Sequence, residues 1–164
     1  MPSTRPTSAE HSLAERSFRF VDSWEVDASP ESVRDVLVDL ERYPEWWTQV
    51  RAVAKVTDDD AIVLCRSRLP YTLEMHLHAV SRDLPTVKVA IGGDLEGFAQ
   101  WTLVPTGSTG GPARTRLDFL QEVDLVSVPD WLASLARPLL TWNHHRMMDG
   151  ARTGLDRRLA DLSR

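Results

Sequence analysis

Only one cysteine, Cys65, occurs in the chain. A single thiol cannot close an intrachain disulfide, so a reducing, cytoplasmic setting is the expectation. No apolar run is long enough to cross a bilayer, and the N-terminus lacks the basic, apolar, small-residue order of a secretion signal. Positive charge is also scarce. The 19 Lys and Arg stand against 24 Asp and Glu, and the net charge of −5 argues against a nucleic-acid surface. It argues more weakly against an anionic membrane surface, and no stable membrane insertion is expected. There is no glycine motif of the kind that cradles phosphate, since Gly92-Gly93 precedes a strand and not a helix. No Ser–His–Asp or Cys–His arrangement stands out. His76 and His78 form a His-x-His pair, but no further Cys or His pattern completes a metal site, and neither metal nor cofactor is expected.

Tryptophan is what the chain has in excess, with six against four Phe and two Tyr. Each indole brings a large apolar area and one N–H that wants a partner, which suits a pocket wall as well as a core. At 42% hydrophobic and 26% charged, the 164 residues suit one globular domain. Residues Met1 to Glu15, rich in Pro, Ser, Thr and charge, read as a flexible tail before a single domain over 16–164.

Alternation in Phe18, Phe20, Asp22, Trp24 and Val26 predicts a strand. Ser29-Pro30-Glu31 supplies an N-cap, a proline at the first helical position and an early acid. Val33, Val36, Leu37 and Leu40 then fall on one helical face, and Tyr43-Pro44 ends the helix. One more turn can restart over Pro44-Glu45-Trp46-Trp47. Strands follow over Val50–Thr57, Ala61–Arg68, Thr72–Val80, Thr86–Ile91, Gly97–Val104 and Arg114–Val126. Asp58-Asp59-Asp60, Leu69-Pro70 and Leu84-Pro85 punctuate them, Gly92-Gly93 opens the hairpin to Gly97–Val104, and Pro105 to Ala113 forms a long loop. Short turns between consecutive strands make an antiparallel meander.

The last fifth, Trp131 to Leu162, is the longest run that can be one helix, with Asp130 as a cap. At about 100° per residue, Leu140, His144, Met147, Ala151, Leu155 and Leu162 share a stripe, and Leu132, Ala136 and Asn143 lie along its edge. Pro138 lacks the N–H for its interior bond, so a kink or split is expected there. Such a helix needs a cover for its apolar face. The simplest architecture is α+β: a curved antiparallel sheet wrapped around this helix.

Several segments carry a family likeness. They are Val26-Asp27-Ala28-Ser29-Pro30-Glu31-Ser32-Val33, Asp39 with Tyr43-Pro44-Glu45-Trp46-Trp47, Gly97 with Trp101-Thr102-Leu103-Val104-Pro105, and Thr115-Arg116-Leu117 running into Gln121-Glu122-Val123-Asp124-Leu125. In order and spacing the chain resembles the START-like superfamily, in particular its bacterial polyketide cyclase/dehydrase and lipid-transport branch, over nearly all of Phe18 to Leu162. The resemblance implies a helix-grip fold whose last helix closes a deep cavity against the sheet. Members include aromatase/cyclases, lipid and quinone carriers and hormone-binding proteins, so the resemblance does not fix an activity. Aromatase/cyclases resemble this chain at Gln121-Glu122. They also carry an arginine where Ala79 stands here, a departure that counts against cyclase catalysis. Arg66 and Arg68 in the preceding strand are the alternatives, and alternation leaves their facing open.

Strand alternation gives the candidate wall. Leu117, Phe119, Gln121, Val123 and Leu125 form one face of the last strand, so Gln121 is expected inside among hydrophobes. It would hold a ligand carbonyl or hydroxyl, or bond a neighbouring backbone group or water. Leu73, Met75, Leu77 and Ala79 face inward on their strand, leaving Glu74, His76 and His78 for solvent. Asn143 and His144 fall on or near the buried stripe of the helix. His144 is either an acid or base near neutral pH or a hydrogen-bonded core residue. The catalytic candidates are Gln121, His144 and Asn143. Trp47, Tyr71, Leu73, Met75, Trp101, Phe119, Met147 and Ala151 join them as ligand-wall candidates, each of which would serve equally in an ordinary core. Ala151 and Gly154 are small, so the cavity is widest there or the helix simply packs close. The leading expectation is a module that binds a hydrophobic lipid, quinone or polyketide-like molecule. A cyclase, aromatase or dehydratase acting in the same cavity is the alternative.

Overall fold

The computed structural model describes residues 16–66, 68, 72–127 and 130–164, with side chains from 137 onward in the last segment. The expected tail, the Leu69-Pro70 break, Tyr71 and the Val128-Pro129 approach to the long helix lie outside the described residues. The elements run β1 (Ser17–Val26), α1 (Pro30–Val38), a 3-10 turn (Leu40–Arg42), and α2 (Tyr43–Trp46). Next come β2 (Val50–Lys55), β3 (Asp60–Cys65), β4 (Leu73–Ser81), β5 (Thr86–Gly93), β6 (Leu95–Pro105) and β7 (Thr115–Leu125). The last element is α3 (Asp130–Leu162).

All seven strands join one antiparallel sheet in the order β1-β7-β6-β5-β4-β3-β2. β2 to β7 form the meander, and β1 closes against β7 with Phe18 opposite Val123 and Phe20 opposite Gln121. This is the helix-grip fold: a curved sheet wraps the long helix, and the short helices after β1 cover one end. Trp24, Val26, Leu103, Leu117 and Phe119 are buried on the concave side, and each contributes about 1.5–3 kcal/mol by leaving water. Gly97 makes the coil of the sheet possible. Its φ is +151°, and a Cβ there would run into the Glu122 carbonyl of the neighbouring strand.

The local signals for α1 hold. Ser29 caps it by accepting from the Ser32 N–H at 3.2 Å, with Pro30 at the first position. Tyr43, expected to end the first helix, starts α2, and its hydroxyl donates to the Leu37 carbonyl at 2.6 Å. That bond folds the two helical pieces together.

Three expectations are corrected. Gly92-Gly93 does not open the hairpin; β5 continues through Gly93, and Asp94 makes the corner. Pro138 does not split the long helix, which runs as one element through it. Pro138 is exposed, so the carbonyl left without its partner one turn back can be satisfied by water. The buried face of α3 is also shifted. Met148 and Leu159 join Ala151 and Leu155 in the core, and Leu162 is 61% exposed because the final turn extends beyond its cover.

Candidate ligand cavity

The helix does not fill the concave face of the sheet. A cavity of about 430 Å³ lies between them, with walls from every strand, α1, α2 and α3. Its size suits a small organic molecule. Two strand periods make the wall. On β4, Leu73, Met75, Leu77 and Ala79 face in, while Glu74, His76 and His78 are exposed. On β7, Phe119, Gln121, Val123 and Leu125 face in. The other predicted wall residues Trp47, Trp101, Asn143, His144 and Met147 also border the cavity.

Ala151 does not. It is buried beside the cavity, and the space is not widest there. The small residues serve close packing instead. A Cβ on Gly154 would strike the Trp46 carbonyl, so glycine is what lets α3 lie directly on α2. Trp47 is fixed from the same side, its Nε1–H donating to the Met147 carbonyl at 3.0 Å. Arg66 and Arg68 are exposed and do not reach the cavity, because β3 turns Ala61, Val63 and Cys65 inward and the alternate set out. Neither replaces an arginine at Ala79.

The polar candidates separate. Asn143 is buried and its Oδ1 accepts from the Arg68 N–H at 3.3 Å, tying α3 to the chain that follows β3. Gln121 and His144 make no side-chain hydrogen bond to any described residue, and both border the cavity. Phe20 links them. Gln121 pairs across the sheet with Phe20, and the Phe20 ring stacks on the His144 imidazole at 3.6 Å. The Phe119 ring lies 6.1 Å from His144. On its outer side the same wall of Phe18, Phe20 and His144 borders a second hollow beside Asp22 and His145.

Burial keeps the inner titratable groups uncharged. It pushes His144 down to about 4, aided by the neighbouring His145, and lifts the Cys65 thiol to about 12. The Tyr43 hydroxyl is also raised, by burial and then by Asp39. Among the described residues, the charged groups bordering the cavity are Asp39, Glu41, Lys55, Asp58, Asp59, Asp60 and Arg82, which form an exposed rim. Lys55 pairs with Asp58 at 2.9 Å and Arg82 with Asp59 at 2.6 Å. Sequence reasoning treated the three aspartates as a plain turn. It also passed over Phe18, Phe20, Tyr43, Cys65 and Met148 as wall residues, although the alternation of Phe18 and Phe20 was a usable signal. Among the described residues no cluster of His, Cys, Asp and Glu is arranged to hold a metal.

A sheet gripping a helix around an apolar hollow defines the START-like class of fold. The chain belongs to the polyketide cyclase/dehydrase and lipid transport family, whose model matches residues 17–159. Solved structures agree on the fold. A START superfamily protein from Mycobacterium smegmatis is 18% identical with a TM-score of 0.68, covering 88% of this chain and 98% of its own. The Zhui aromatase/cyclase from Streptomyces sp. R1128 is 12% identical with a TM-score of 0.75, covering 90% and 96%. A protein from Thermus thermophilus is 16% identical with a TM-score of 0.76, covering 89% and 99%. No protein of curated function matches the chain in sequence.

Proposed function

We propose that the chain binds a hydrophobic small molecule, of lipid, quinone or polyketide-like kind, in the cavity between sheet and helix. The observation that carries this reading is an apolar interior left empty by its own side chains. Leu73, Met75, Leu77, Val89 and Met147 form much of the wall, and burying a guest against them is favourable by about 25 cal/mol per Å². The two thioethers adapt to irregular shapes. The test is a titration with the uncharged fluorescent probe N-phenyl-1-naphthylamine. Saturable 1:1 binding, weakened at least about tenfold by Ala99→Phe at the cavity wall with the fold retained, is expected. Equal binding by the filled variant would count against the cavity.

Turnover in the same cavity, as in the aromatase/cyclase of similar fold, is the second reading. Its support is the unengaged pair Gln121 and His144. Against it, general acid–base work favours a group whose pKa lies near the working pH, and His144, Cys65 and Tyr43 are all driven away from it. His144→Phe with Gln121→Leu should spare uptake of a wholly apolar guest under the carrier reading and abolish turnover under the enzyme reading.

A further inference from the structure

Resting on the cavity-binding reading, we infer that the ligand is uncharged and carries a hydrogen-bonding group, such as a carbonyl, amide or hydroxyl, which docks between Gln121 and His144. The geometry gives this corner its chemistry. Gln121 offers two N–H donors and a carbonyl acceptor, and a neutral imidazole offers one donor and one acceptor. Neither side chain is engaged by a described residue, and both stand in a wall of Phe20 and Phe119. A polar pair left open among aromatic rings is costly unless a guest or water completes it. A ligand group that replaces water there without loss of hydrogen bonds binds; a wholly apolar one leaves the pair unmet.

The exclusion of charge follows from where the cations are. Among the described residues, the cations bordering the cavity are Lys55 and Arg82, both at the rim and both already paired with Asp58 and Asp59. No described residue inside can neutralise a carboxylate or phosphate, and burying an unpaired anion carries a heavy desolvation penalty. The rim adds to this, since Asp39, Glu41, Asp58, Asp59 and Asp60 outnumber its two cations. The His144 ring is held neutral by burial and supplies no compensating positive charge at neutral pH.

Three probes of one ring size separate the terms: naphthalene, 2-naphthamide and 2-naphthoate, each competed against N-phenyl-1-naphthylamine at pH 7. The amide and the carboxylate differ little but in charge. The inference expects 2-naphthamide to bind at least about tenfold more tightly than 2-naphthoate, and several-fold more tightly than naphthalene. In the double variant Gln121→Leu, His144→Phe, with the fold checked by circular dichroism, the advantage of the amide over naphthalene disappears. Equal affinity for amide and carboxylate overturns the inference and leaves the cavity reading standing. So does an amide advantage that survives in the double variant. Failure of all three compounds and of the fluorescent probe to bind overturns the cavity reading itself and the inference with it.

Discussion

The His144 imidazole lies face to face with the Phe20 ring, 3.6 Å between centroids and 15° between planes. This contact joins the middle of the long helix to the edge strand of the sheet. Both rings border the cavity and also a second hollow beside Asp22 and His145, so the contact stands between the two spaces. The same contact buries a titratable ring.

The buried ring makes stability depend on pH. The folded-state pKa of His144 is lowered from 6.5 to about 4, so between those values the unfolded chain binds more protons. The stabilisation is complete above about pH 6.5 and is lost as pH falls toward 4, by about 3 kcal/mol at most. Urea unfolding across this range should show the slope in the wild type and a flatter profile in His144→Phe. Identical slopes in the two would show that the ring is not the group responsible.

Removing the contact should speed exchange. His144→Ala opens the wall between cavity and hollow, and dissociation of N-phenyl-1-naphthylamine is expected to accelerate about tenfold in stopped flow. An unchanged dissociation rate would mean that guests leave only past the acidic rim.

Two glycines on the long helix should respond differently. Alanine favours a helix interior over glycine by about 1 kcal/mol. At Gly154 the added methyl meets the Trp46 backbone, which cannot step aside, and Gly154→Ala is expected to be destabilising by about 1–3 kcal/mol. At Gly150 the obstacle is the end of the Gln49 side chain, which can rotate, so Gly150→Ala should be near neutral. Thermal unfolding of the two variants checks the contrast.

Cys65 is a built-in reporter. It is the one thiol of the chain, borders the cavity and is lifted to about 12 by burial. Alkylation by iodoacetamide at pH 8 should be far slower in the folded protein than in urea, and slower again with the cavity occupied by N-phenyl-1-naphthylamine. A folded-state rate equal to the rate in urea would place the thiol outside the wall.

Periodicity exposed most of the architecture to sequence reading. The alternation in β1, β4 and β7 gave strand facing directly, and it placed Met75, Phe119 and Gln121 on the concave side where they are found. Ser29-Pro30 marked the start of α1 and Pro44 the restart at α2 through local backbone chemistry, whereas α1 ends at Val38, short of the Tyr43-Pro44 expected to end it. What did not show was anything set by long-range packing. The role of Gly154 depends on a carbonyl more than a hundred positions earlier in the chain, and composition cannot distinguish a small residue beside a void from one under a helix. The register of α3 turned on which neighbours covered it, so Met148 and Leu159 were missed and Leu162 misplaced. His144 was read as either an acid–base group or a bonded core residue. In the structure it is a stacked ring on a cavity wall, because its partner Phe20 lies on an element at the opposite end of the sequence.

The central claim is that the space between sheet and helix is hollow and apolar. Diffraction from crystals held under xenon pressure tests it most directly, since xenon enters dry cavities and leaves packed cores empty. The account predicts xenon density between Met75, Ala99, Phe119 and Met147, with the surrounding side chains unmoved. An interior without xenon, filled by those same side chains, would contradict it.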